Sequence, residues 1–225
     1  MKENEDYIKQ LDHTIAKFMA PLEGIPFPIA IKAISGHKVI PFDKQNKQDL
    51  DLLDKFCQAA DIAGKQAFQD GIFRKRPNEV GNDIEPYVKG ALKTIGLKAD
   101  TPLTQKQRRQ AMGYPDIEVI DSNGRITYLE CKTYNLANIG TTQRAFYFSP
   151  SRESCKVTAD ARHLVMSFQI EITQRKGQQA YVPVHWRIYS TDSMVVQVKH
   201  EFNANNRQMY RPEALLAEGS IQATE

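Results

Sequence analysis

The hydrophobic period of this chain changes once, close to Asp116, and that change limits the architectures open to it. Ahead of it, Ile8, Leu11, Ile15, Phe18 and Met19 recur at three- and four-residue steps and predict a helix over residues 3–20, ended by Pro21. The Gly24 to Pro28 segment and Ser35-Gly36 break the pattern. Leu53, Phe56, Ala60, Ala63 and Ala67 then mark a second amphipathic helix that ends near Gly71, with Gly64 as its weak point. A third helix is expected after Asn82 as N-cap, with Pro86 in its first turn, Val88, Leu92 and Ile95 inward, and Gly96 as its stop. From Asp116 onward the pattern is that of strands: a hairpin over 116–132, then His163 to Ile172, Tyr181 to Tyr189 and Met194 to Val198, separated by Arg175-Lys176-Gly177 and Thr191-Asp192 turns. Helices first and strands afterwards predict an α/β fold, a mixed sheet flanked by helices, with a helical N-terminal third.

With 225 residues and 41% hydrophobic side chains, the chain can bury one good-sized core. We expect one domain over 1–225, with a helical part at 1–75, a core at about 78–200 and a peripheral polar tail at 203–225. Cys57, Cys131 and Cys155 have neither paired nor metal-type spacing, so a reducing cytoplasm is expected and a zinc site with His163 or His185 is not. The apolar stretches fall short of the roughly 20 residues that span a bilayer, so no membrane association is expected. A net charge of +3 permits a polyanion partner without requiring one. The chain has no glycine-rich phosphate loop, and no nucleotide cofactor is expected.

The hairpin carries the chemistry. If Ser122, Asn123 and Gly124 form a three-residue loop with Gly124 in the left-handed region, Asp121 faces Arg125 and the register carries back to Asp116 facing Glu130. Their Cβ atoms would then stand about 5 Å apart, with Lys132 on the same face. A two-residue loop would turn Asp116 to the other face. Two converging carboxylates suit a hard divalent cation such as Mg²⁺, and a lysine beside them suits attack on a phosphodiester.

Pro115-Asp116 followed by Glu130-Cys131-Lys132, with Asn82-Asp83-Ile84-Glu85 on an upstream helix, resembles the PD-(D/E)xK nuclease superfamily over residues 78–135, and most closely its type II restriction endonucleases. The resemblance implies a restriction-endonuclease-like fold and a bacterial or archaeal cell. It also implies Asp116 and Glu130 as ligands of Mg²⁺, which Mn²⁺ can replace, Lys132 beside the attacking water, and Glu85 as a supporting carboxylate. Glu79 is the alternative to Glu85.

Double-stranded DNA is the expected partner and a homodimer the expected assembly, since one centre per subunit would serve each strand of a palindromic site. Lys106, Arg108 and Arg109 form a basic cluster suited to phosphates, or a solvated face. Tyr134, Asn138, Gln143 and Arg144 follow the hairpin and include the side-chain types that read base edges. Phe146-Tyr147-Phe148 fits core packing better than DNA contact. Two other functions stay open: a structure-selective repair or recombination nuclease of the same fold, and a non-catalytic DNA-binding protein. Metal-dependent cleavage separates the last from the others.

Overall fold

The computed structural model describes residues 2–20, 22–75, 79–110, 112–137, 139–141, 146–148, 152–198, 207 and 211–214. Two compact units make it up. The smaller, Met1–Glu23 with Gln197–Glu225, holds α1 (Lys2–Met19), whose Ile8, Leu11 and Phe18 are exposed. The polar tail lies mostly outside the described residues, apart from a 3-10 turn at Pro212–Ala214. The larger, Gly24–Val196, holds the three remaining helices and the main sheet.

After the short strand β1 (Leu22–Pro26), the segment read as a break contains a helix, α2 (Phe27–Ser35). Pro28 sits at its start, where a missing N–H costs nothing, and Gly36 closes it at φ 83°. The second expected helix is α3 (Lys47–Asp70). The Asn46 side chain caps it by accepting from the N–H groups of Gln48 and Asp49, and Phe56, Ala60, Ala63 and Ala67 are buried as anticipated.

Helix α4 (Val80–Thr94) begins before Asn82, so the expected cap is wrong. Asn82 is an exposed residue within the helix, and Pro86 lies in its interior rather than its first turn. Packing sets this boundary: the buried stripe of Val80, Ile84, Val88, Ala91 and Leu92 begins at Val80, and its burial outweighs the cap preference of Asn82. Gly96, at φ 84°, ends the helix as expected, with Leu97 N–H bonded back to the Leu92 carbonyl.

The main sheet runs β2-β3-β4-β5-β6, with β2 (Lys98–Asp100), β3 (Ile117–Ile120), β4 (Ile126–Tyr134), β5 (Arg162–Arg175) and β6 (Gln178–Ser190). Only β4 and β5 run parallel, so the sheet is mixed as the sequence suggests. Lys176 and Gly177 both have positive φ in the β5–β6 turn, the backbone that tight hairpins require. Strand β7 (Val195–Val198) follows, outside this sheet.

The two faces of the sheet have different covers. On one, α3 and α4 bury Leu129, Cys131, Met166 and Phe168. On the other, Phe27, Ile31, Tyr114 and Val157 gather around Tyr128, with Phe146 and Phe148 packed against them while Tyr147 is exposed. This second cover stops part-way along β4: Tyr128 is fully buried, Glu130 4% exposed, and the Lys132 side chain already 30% exposed. Among the described residues no helix is long and apolar enough to cross a membrane.

Candidate active site

The β3–β4 turn decides whether the two acidic residues meet. It takes the three-residue form: Asp121 N–H bonds to the Arg125 carbonyl at 3.1 Å, Gly124 N–H to the Asp121 carbonyl at 3.0 Å, and Gly124 has φ 75°. The Asp121 side chain holds the loop by accepting from the Asn123 and Arg125 N–H groups at 2.9 and 3.0 Å. The resulting register, from Ile120↔Ile126 back to Ile117↔Leu129, brings Asp116 opposite Glu130 one step further. Strand β3 has ended there, and the Asp116 carboxylate itself accepts from Cys131 N–H at 2.8 Å.

Glu130 is buried, with Oε1 2.6 Å from Lys132 Nζ and Oε2 without a hydrogen-bond partner among the described residues. Burial, and after it the Asp116 charge, push its carboxyl up to about 7. Asp116 is likewise raised, first by burial and then by Glu85, against the opposing pull of Cys131 N–H, Lys132 and Lys156. Lys132 Nζ also stands 5.6 Å from the centre of the Phe146 ring. Of the two candidate carboxylates, Glu85 lies within α4, pairs with Lys89 at 2.5 Å and raises the Asp116 carboxyl through its charge, whereas Glu79 sits at the N-cap before α4 and its charge bears on Arg74.

A fully buried lysine, Lys156, completes the surroundings. Its Nζ donates to the carbonyls of Gly113 at 2.6 Å and Pro115 at 3.1 Å, so it grips the turn that delivers Asp116. Its positive charge also lies in the field of Asp116, Glu85 and Glu130. Nothing in the Cys155-Lys156-Val157 sequence distinguishes this lysine from a surface one, and sequence reasoning passed over it.

Two carboxylates, one with a buried oxygen unpartnered, form a donor set that fits Mg²⁺, an ion that usually takes one or two protein carboxylates and fills its other positions with water or phosphate. Among the described residues no group of three His, Cys, Asp or Glu side chains is arranged as a ready-made metal cage.

The other expected contact residues are more scattered. Lys106 pairs with Glu153 at 2.6 Å. Arg108 and Arg109 are exposed, with their backbones in a turn closed by Thr104 N–H on the Arg108 carbonyl and by a Leu103–Arg109 bridge. None of the three has a hydrogen bond or ion pair with Asp116, Glu130 or Lys132. Tyr134 ends β4 on the Glu130–Lys132 face. Asn138, Gln143 and Arg144 lie outside the described residues.

A model of the type II restriction enzyme MjaV family matches residues 21–213. The type II restriction enzyme MjaV of Methanocaldococcus jannaschii is 34% identical to this chain over 234 aligned positions, covering 98% of the chain and 100% of that relative. No solved structure matches the chain. The matched span contains the whole five-stranded sheet and every residue gathered around Asp116, and on these grounds the chain belongs to the MjaV family of type II restriction enzymes.

Proposed function

We propose that this site-specific deoxyribonuclease cuts both strands of duplex DNA by Mg²⁺-dependent hydrolysis at a PD-(D/E)xK centre made of Asp116, Glu130 and Lys132. The observation that carries the reading is the buried, unpartnered Glu130 Oε2 beside Asp116, an arrangement that is costly unless a cation or a proton occupies it. Asp116 and Glu130 would hold the ion, whose chemistry there would be to lower the pKa of a water and to neutralise charge on the scissile phosphate. Lys132 orients the attacking water and stabilises the anionic transition state through its ammonium group. The Glu130 contact at 2.6 Å keeps that ammonium aimed into the site. Glu85 tunes the pair from α4, and Lys156 fixes the approach of Asp116. Arg108 and Arg109 contact phosphates, joined by Lys106 where it releases Glu153, and Tyr134, Asn138, Gln143 and Arg144 line the DNA. The whole chain works as one nuclease domain within a homodimer.

The experiment is incubation of the purified protein with long duplex DNA and Mg²⁺, followed by sizing and end sequencing of the products. Discrete fragments sharing one short end sequence are expected, with Mn²⁺ replacing Mg²⁺ and Ca²⁺ supporting binding better than turnover. Asp116→Asn, Glu130→Gln and Lys132→Ala should each reduce cleavage by at least about a hundredfold while duplex binding persists. Full activity in a purified variant removes that residue from the centre. Cutting that survives excess chelator removes the metal, and cleavage confined to branched junctions points to a repair nuclease instead.

A further inference from the structure

The sheet face that carries Glu130 and Lys132 does not end at β4. Cross-strand partners share a face, and the register aligns Glu130 with Val165 and Tyr189, and Lys132 with Ser167 and Arg187. The next row aligns Tyr134 with Gln169 and His185. Beyond the aromatic cover, this face becomes polar and opens toward β6, with Ser167 still buried, Arg187 half-buried and Tyr189 44% exposed.

Among the described arginines of the larger unit, Arg187 shares with the exposed Arg108 and Arg109 the lack of a carboxylate or backbone-carbonyl partner for its guanidinium, and it differs from those two in lying over a ring. Arg125 and Arg162 share the buried Asp49, Arg74 forms two bonds to Asp83, and Arg152 and Arg175 donate to the backbone carbonyls of Ala33 and Gln69. The Arg187 guanidinium lies over the Tyr134 ring, 5.4 Å from its centre, with NH1 3.4 Å from the Tyr189 hydroxyl; Arg175 also lies over a ring, that of Phe68, but has the Gln69 carbonyl as well. No carboxylate pairs with it among the described residues, and most of its five N–H donors have no acceptor there. A tyrosine platform restrains a guanidinium through its flat face and leaves the donor edge available, which is the geometry that bidentate phosphate recognition uses.

Distance fits the same partner. Arg187 lies in the Lys132 row two strands away, which at about 4.8 Å per strand separates their backbones by roughly 10 Å. A DNA strand advances about 3.4 Å of helix axis per nucleotide, so that interval is a few nucleotides. We propose that Arg187, restrained by Tyr134 and Tyr189, binds a backbone phosphate of the DNA strand a few nucleotides from the one cut at the Glu130–Lys132 site. The proposal rests on the reading that duplex DNA crosses this face. It assigns Tyr134 the role of a platform for Arg187 and not that of a base reader.

The test is the salt dependence of binding to a short labelled duplex of mixed sequence, followed by anisotropy in Ca²⁺ so that cleavage does not intervene. Arg187→Gln should weaken binding about tenfold at low salt and reduce the log–log salt slope by about 0.9 for each bound protomer, with an unchanged melting temperature. Arg187→Lys should keep the slope, because it keeps the charge. Tyr134→Phe should match the parent, and Tyr134→Leu should weaken binding with the slope retained. In cleavage assays Arg187→Gln should raise KM more than it lowers kcat. An unaltered slope in Arg187→Gln, or an Arg187→Lys slope as low as that of Arg187→Gln, overturns the proposal. Asp116→Asn run in parallel keeps the two readings apart. A failure of the catalytic assignment would appear as retained cleavage in Asp116→Asn, and a failure of this proposal as an unchanged slope in Arg187→Gln.

Discussion

His163 has no solvent exposure, its Nδ1 is 2.6 Å from the Tyr114 hydroxyl, and its Nε2 has no partner among the described residues. Burial lowers its pKa from 6.5 to about 3, so the folded protein keeps the ring neutral where the unfolded chain would protonate it. The folded pKa is the depressed one. Its stabilising contribution is therefore complete above about pH 6.5 and is lost as pH falls toward 3. Glu130 has the opposite sign: with its carboxyl raised to about 7, the metal-free protein loses stability as pH rises from the ordinary carboxylate range through that value. Only a comparison of variants isolates either group. Urea unfolding of the parent and of His163→Gln, which does not titrate, should diverge between about pH 7 and pH 4, the parent losing on the order of 3 kcal/mol more. Parallel pH curves would mean that His163 is protonated or hydrated in the folded state. At this scale the convergence of Asp116, Glu130 and Lys132 was legible because a loop type and a two-residue alternation suffice to bring them together. His163 and Lys156 were not, because their roles come from burial against segments distant in the chain.

Elements meet at Asp49, which occupies the first turn of α3 and would be read from sequence as a complement to the helix dipole. It is in fact fully buried, its Oδ1 3.0 Å from Arg125 NH1 and 2.7 Å from Arg162 NH2, and its Oδ2 2.8 Å from Arg162 Nε and 3.0 Å from Asp43 N–H. Arg125 also bonds Asp121 at 2.7 Å and the Gln48 carbonyl at 2.8 Å. One carboxylate thus ties the start of α3 to the β3–β4 turn and to the first residue of β5, the same turn whose form brings Asp116 opposite Glu130. Asp49→Ala would leave two arginines without their buried counter-charge and should cost about 3 to 5 kcal/mol, read from urea unfolding. A loss below about 1 kcal/mol would show that water replaces the carboxylate. The strong periodicities of α1, α3 and strands β3 to β7 marked those elements in the sequence, whereas the short strands β1 and β2 were not expected. The start of α4 and the existence of α2 were less readable, because there prolines and a cap-like asparagine favour one boundary locally while buried Val80, Phe27 and Ile31 set another.

For the molecule as a whole, the constraint is the count of centres against the count of strands. Each chain carries one Asp116–Glu130–Lys132 set, and a double-strand break requires two hydrolyses on strands of opposite polarity. A two-fold dimer places one centre on each strand at matching positions of a palindrome, whereas a single subunit would have to release and rebind between cuts. The proposed dimer therefore predicts how a mixture of active and inactive subunits behaves. Co-expressed parent and Asp116→Asn chains carrying different affinity tags, purified sequentially through both tags, should give mixed dimers that bind the same site but hydrolyse one strand only. A supercoiled plasmid with one site should then accumulate as the open circular form and turn linear slowly or not at all, while the parent homodimer linearises it. Under the proposed assignment of Asp116 to the metal, and because asparagine keeps an acceptor for Cys131 N–H, the mixed dimer should melt close to the parent in chelator. Rapid linearisation by the mixed dimer would mean that one centre serves both strands, and sedimentation of the active protein as a monomer on its site would carry the same conclusion.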